Sequence, residues 1–157
     1  MSQENQRKMA DSFGLLFLLG RRFEYITDSI LKKDGLTTKQ LLALIVIDRG
    51  FDVLPSVSQV AELLSTSHQN VKQIAHQLER KGFLEMVRDE NDKRRWLLCV
   101  TKKNQDFWDS REKEHGKAMQ DLFASLSERE ILQFHKILTK LMEGTETIYR
   151  EAKEVRI

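Results

Sequence analysis

The chain has one cysteine, Cys99, and one proline, Pro55, in 157 residues. A lone cysteine excludes an internal disulfide and fits a reducing compartment. Long hydrophobic runs are also missing. The apolar stretch from Phe13 to Leu19 is short and is followed by Gly20, Arg21 and Arg22 instead of a small-residue cleavage site. It reads as neither a signal peptide nor a membrane span, so a soluble, cytoplasmic protein with no membrane partner is expected. No Ser/His/Asp order, Gly-rich phosphate loop or paired-carboxylate motif stands out, which argues against an enzyme. The four histidines, His68, His76, His115 and His135, are scattered without compact ligand spacing. Neither a metal nor another cofactor is expected from them. Internal repeats and low-complexity segments are absent as well.

What is present bounds the fold. At 40% hydrophobic content the chain can bury a real core, and one compact unit is the default at this length. The 26 basic and 24 acidic residues leave a formal charge of only +2. Their distribution matters more than the total. From Lys72 to Lys103 nine basic residues face five acids, so that window carries +4 and the remainder −2. A local positive field of this kind steers a protein toward polyanions.

Periodicity divides the chain into helices around a short ribbon. Apolar positions Met9, Phe13, Leu16, Gly20, Phe23, Thr27 and Ile30 predict a helix ending near Lys33, before Gly35, with the first residues frayed. Leu15, Phe17, Leu19 and Ile26 widen its stripe beyond what one neighbour covers, pointing to a second subunit. Thr37 and Gln40 have capping-box spacing, and the helix they open carries Leu41, Leu42, Leu44, Ile45 and Ile47, with Gly50 as a left-handed stop. Ser56 and Gln59 open a short helix whose buried side is Val57, Val60, Ala61, Leu63 and Leu64. After Ser65-Thr66-Ser67, a helix from His68 to about Lys81 turns Val71, Ile74, Ala75 and Leu78 inward and ends at Gly82. Strands Leu84 to Arg88 and Arg95 to Val100 follow, joined by Asp89-Glu90-Asn91-Asp92-Lys93-Arg94. Alternation puts Trp96, Leu98 and Val100 on one face, and Leu97 and Cys99 on the other. Cys99 reads as a buried, inert thiol and Trp96 as packing under the ribbon. Thr101 caps a long polar helix in which Gly116 leaves room for a bend or a tight contact. Ser127 and Glu130 cap a last helix with Ile131, Phe134, Leu138, Leu141, Met142, Thr145, Ile148 and Tyr149 on one side, a stripe long enough for a subunit seam.

Helix, turn, helix and basic-tipped ribbon from Ser56 to Thr101 give the outline of a winged helix-turn-helix, and with it a DNA-binding regulator. The fold class expected is mainly α with a small β-wing, the winged helix-turn-helix flanked by N- and C-terminal dimerisation helices. Leu78-Glu79-Arg80-Lys81-Gly82-Phe83-Leu84, then Asp92-Lys93-Arg94, then Val100-Thr101 make the reading more specific. In these residues and in its order of helices the chain resembles the MarR family of dimeric winged-helix regulators, the multiple-antibiotic-resistance repressor type. It departs from the family's usual pattern at Asn104, where Gly is common, and at Gln73, where Arg is frequent.

The resemblance implies a homodimer in which 1–36 and 102–157 supply dimerisation helices and 37–101 a DNA-binding lobe, together one intertwined domain. It implies that His68, Gln69, Asn70, Lys72 and Gln73 enter the major groove of double-stranded DNA, and that Arg94 reaches the minor groove with Asp92 holding its guanidinium. Gln and Asn pair bidentately with adenine, each contact contributing about 1–3 kcal/mol of discrimination. Arg suits a narrow minor groove. Lys72, Lys93 and Arg95 suit phosphates, and His76 lies on the same exposed face. A two-fold dimer implies a pseudo-palindromic operator with half-sites about 34 Å apart. The resemblance further implies repression released by a small aromatic effector, for which Phe17, Phe23, Tyr25 and Trp108 are lining candidates with core packing as their competing role. The alternative is a metal- or redox-responsive regulator of the same fold.

Overall fold

The computed structural model describes residues 1–155. Helix α1 spans Gln3–Leu31, starting six residues before Met9, so the polar start expected to fray is helical. Local chemistry accounts for this: Ser2 Oγ accepts from the Asn5 N–H at 3.2 Å, and Glu4 and Lys8 pair at 2.8 Å one turn apart. Lys32–Asp34 tighten into a 3-10 turn closed by Gly35 at φ +66°.

Helix α2 (Thr38–Arg49) has only half of the expected capping box. Thr37 Oγ1 accepts from the Gln40 N–H at 3.3 Å, but the Gln40 side chain turns inward to other partners described below. Asp28 of α1 takes over at this helix start, its Oδ1 accepting from the Thr38 N–H at 2.6 Å and from Thr38 Oγ1 at 2.8 Å. Those two bonds, the backbone one first, hold the Asp28 carboxyl below its usual range. Gly50 ends α2 at φ −86°, so the left-handed stop expected there is not used. Its requirement is space: an added Cβ would lie 2.5 Å from the Val46 carbonyl oxygen and 3.1 Å from Leu63 Cδ2.

Ser56 and Gln59 form a complete capping box for α3 (Val57–Leu63). Val57, Val60 and Ala61 are buried, whereas Leu63, expected inside, is 49% exposed at the helix end. Ser67 Oγ accepts from the Asn70 N–H at 3.1 Å and starts α4 (His68–Arg80), which buries Val71, Ile74, Ala75 and Leu78 as the spacing predicts. Gly82 at φ +76° turns the chain into β1 (Leu84–Arg88), antiparallel to β2 (Trp96–Val100). Leu84 faces Val100, Met86 faces Leu98 and Arg88 faces Trp96. The Leu98 N–H donates to the Pro55 carbonyl at 2.9 Å, tying the ribbon to the approach of α3. Every buried apolar side chain among the described residues lies between Leu31 and Leu98. Helix α4 and the ribbon are thus built directly on the core.

Thr101 Oγ1 donates to the Gly82 carbonyl at 2.7 Å and accepts from the Asn104 N–H at 3.3 Å, capping α5 (Lys102–Ser110). Asn104 is buried. The helix does not run on through Gly116. It breaks at Arg111 (φ −110°, ψ 3°), and α6 (Glu112–Phe123) passes Gly116 without interruption. Helix α7 (Glu128–Glu154) has the full Ser127–Glu130 box, whose Ser127 hydrogen bonds hold the Glu130 carboxyl below its usual range. The chain divides into two compact units, Met1–Phe107 and Trp108 onward.

Candidate nucleic-acid interface

With its apolar stripe buried, α4 leaves its other face to solvent. His68, Gln69, Lys72, Gln73 and His76 are all exposed. A groove of about 750 Å3 runs along this face, lined by Gln69, Lys72, Gln73, His76, Gln77, Glu79 and Arg80. Asn70 differs from its neighbours. It is half-buried, and its Nδ2 donates to Thr66 Oγ1 at 2.9 Å, so its amide is occupied within the turn before α4. Glu79 joins α4 to the ribbon: Oε1 accepts from the Met86 N–H at 3.3 Å, while Oε2 lies 3.4 Å from His76 Nδ1.

The wing tip is organised by carboxylates that bind backbone. Asp89 Oδ1 accepts from the N–H groups of Asn91 (2.8 Å) and Asp92 (3.3 Å). Foremost the Asn91 bond, with the Asp92 bond and the charges of Arg95 and Lys93 behind it, holds the Asp89 carboxyl below its usual range. Asp92 Oδ1 accepts from the Arg94 main-chain N–H at 3.0 Å, so it supports the wing through the backbone instead of the expected guanidinium. The tight Asx turn explains this, since a carboxylate two residues upstream reaches the N–H before it reaches the end of a long side chain. Arg95 Nη1 lies 3.8 Å from Asp89 Oδ2, and Arg88 Nη1 donates to the Lys93 carbonyl at 2.6 Å. Arg88 also stacks over Trp96, 3.8 Å from the ring centroid. Lys93, Arg94 and Arg95 stay exposed on this braced tip.

Arg88, Asp89, Thr66 and Glu79 were not singled out by sequence reasoning. Asp89 followed by Asn91 is an Asx-turn signal, and Arg88 falls opposite Trp96 once the ribbon register is drawn. Thr66 depends on the geometry of the turn before α4, and Glu79 on the contact between α4 and β1. Of the other candidates, Cys99 is half-buried instead of buried, with its thiol 3.5 Å from the Val100 carbonyl oxygen. Phe17 and Tyr25 are 64% and 80% exposed, so neither packs in the core, while Trp108 and His115 stack at 4.8 Å. Among the described residues no three His, Cys, Asp or Glu side chains gather to hold a metal, and no helix is long and apolar enough to cross a membrane.

Comparison with known proteins places this geometry. Escherichia coli (strain K12) transcriptional repressor MprA is 27% identical over 115 residues, 73% of this chain, and the match spans 65% of that protein's own length. A MarR protein from Peptoclostridium difficile shares the fold at TM-score 0.78 and 18% identity, covering 90% of this chain and 92% of the other. A mutant MarR from Escherichia coli complexed with operator DNA does so at TM-score 0.73 and 18% identity, covering 90% and 99%. Residues 34–95, which hold α2, α3, α4, β1 and the wing tip, match the model of the MarR family. Over those residues the chain is similar to the MarR family, and it shares the winged-helix fold of these structures.

Proposed function

We propose that this protein is a cytoplasmic, sequence-specific DNA-binding transcription regulator that acts as a homodimer. The observation that carries the reading is the pairing, on one lobe, of an exposed polar helix face with an exposed basic wing tip, each braced from behind. A helix of this size fits the major groove, and Gln69 and Gln73 present free amides to base edges. His68 and His76 flank that row. Lys72, Lys93 and Arg95 neutralise phosphates, and Arg94 enters the minor groove beside them. Asn70 serves the interface by holding the turn, and Asp92 by holding the tip. The fold likeness to a MarR solved with operator DNA supports this placement.

Dimerisation rests on apolar surface the single chain leaves open. In α1 these are Met9, Phe13, Leu15, Phe17 and Leu18, and in α7 Leu132, Ile137, Leu141, Met142 and Ile148. Patches of this extent mark association surfaces. On this reading residues 1–36 and 102–157 join two copies and residues 37–101 form each DNA-binding lobe, giving a pseudo-palindromic operator. Repression is the proposed mode, as in the repressor MprA, and a small aromatic effector bound near Phe17, Phe23, Tyr25 or Trp108 would release it. Half-exposed Cys99 favours a redox-responsive variant of the same reading. That variant requires peroxide to abolish DNA binding in the parent protein and not in Cys99→Ser.

Selection of bound sequences from random duplex DNA tests the proposal. Enrichment of inverted half-sites about one helical turn apart is expected. Recovery of unenriched DNA would refute sequence-specific recognition.

A further inference from the structure

Gln40 is a polar side chain inside the lobe core, 4% exposed. Its Nε2 donates to Gln77 Oε1 at 2.8 Å, and its Oε1 accepts from Lys81 Nζ at 2.9 Å. Lys81 Nζ also donates to the Gly35 carbonyl, and Lys103 Nζ donates to the Lys81 carbonyl at 2.6 Å. Polar bonds thus reach the end of α4 from three directions: the turn after α1, the first turn of α2 and the start of α5.

Helical spacing gives this cluster its meaning. Gln69, Gln73, Gln77 and Lys81 are four residues apart and form one row along α4 and its C-cap. The row is exposed at Gln69 and Gln73, and half-buried at Gln77 and Lys81. Val71, Ile74, Ala75 and Leu78 hold α4 against the core, but apolar contact is non-directional and tolerates small rotations. Hydrogen bonds at a buried amide are directional, and leaving one unmade is costly. An anchor on the same row as the exposed amides therefore fixes the rotation of α4 about its axis.

We infer that Gln40 and Lys81 are positioning, specificity-determining residues, holding α4 at the rotation that directs Gln69 and Gln73 to base edges. Burial, foremost, lowers the pKa of Lys81, in keeping with an ammonium drawn inward toward these acceptors. The inference rests on the DNA-reading function proposed above.

The test compares the parent protein with Gln40→Leu, Lys81→Met and Lys81→Arg. Affinities are measured at one salt concentration for the selected duplex, for the same duplex with single base changes, and for random DNA. In Gln40→Leu and Lys81→Met the discrimination against base changes should fall about tenfold, the scale of one lost charge-assisted hydrogen bond. Affinity for random DNA and its salt dependence should not change, and Lys81→Arg, which keeps the donors, should restore discrimination. A purely structural role would lower the melting temperature and the DNA-competent fraction but leave the discrimination ratio intact. That result overturns the inference. Should Gln40→Leu fail to fold, Lys81→Met decides alone. A parent protein that discriminates no sequence would overturn the DNA-reading function itself, and this inference with it.

Discussion

Arg94 and Asn70 divide the site into residues free to meet a ligand and residues already employed. Arg94 is exposed, and the bond that positions it involves its backbone, so truncation removes the guanidinium without disturbing the tip. Arg94→Ala should weaken binding to the selected duplex by about 1–3 kcal/mol with an unchanged melting curve, measured by gel-shift titration. Unchanged affinity would remove the wing from the interface. Gln69→Ala should erode sequence preference, whereas Asn70→Ala, which frees Thr66, should weaken selected and random DNA by equal factors. The sequence could name both residues as polar and helical, since alternation of burial is written in the 3.6-residue period. It could not tell the occupied amide from the free one, because Thr66 reaches Asn70 only through the geometry of the turn. Asp92 is a similar case: its place beside Arg94 was legible, its choice of backbone over guanidinium was not.

Helix starts were the most legible elements, because a cap is local chemistry. Ser56 with Gln59 and Ser127 with Glu130 form the boxes their spacing predicts, and Gly82 makes its left-handed stop. Departures came where a distant partner competed. Gln40 left its box for Gln77 and Lys81, and Asp28 of α1 bonded the Thr38 N–H at the same helix start. Arg111, not Gly116, breaks the segment after the wing, since one exposed glycine costs a helix only about 1 kcal/mol and need not end it. The Asp28 cap makes a pH prediction. Its folded pKa is depressed, so the stability it adds is complete above its unfolded pKa near 3.9 and is lost as pH falls through the lower folded value. Asp28→Asn should therefore melt earlier than the parent at pH 7, by about 1 kcal/mol on the scale of a helix cap, and the gap should close in acid below that window. A gap independent of pH would show that the carboxylate charge plays no part.

For the whole molecule, the question is what covers the apolar faces of the terminal helices. The wing lobe has a closed core from Leu31 to Leu98, while α6 and α7 have no buried side chain among the described residues. The breadth of the α1 stripe signals this in the sequence, being too wide for one neighbour. Replacing both Leu141 and Met142 by Glu should lower the sedimenting mass from two chains to one and weaken operator binding, because two half-sites then bind independently. A dimer that survives both charges would place the seam elsewhere. Base and groove contact is tested most directly by dimethyl sulfate protection on the selected duplex, which reports guanine N7 in the major groove and adenine N3 in the minor groove. The expected result is two blocks of major-groove protection about one helical turn apart, each bordered by minor-groove protection that disappears in Arg94→Ala. Protection confined to one groove, or unaltered by that substitution, would contradict it.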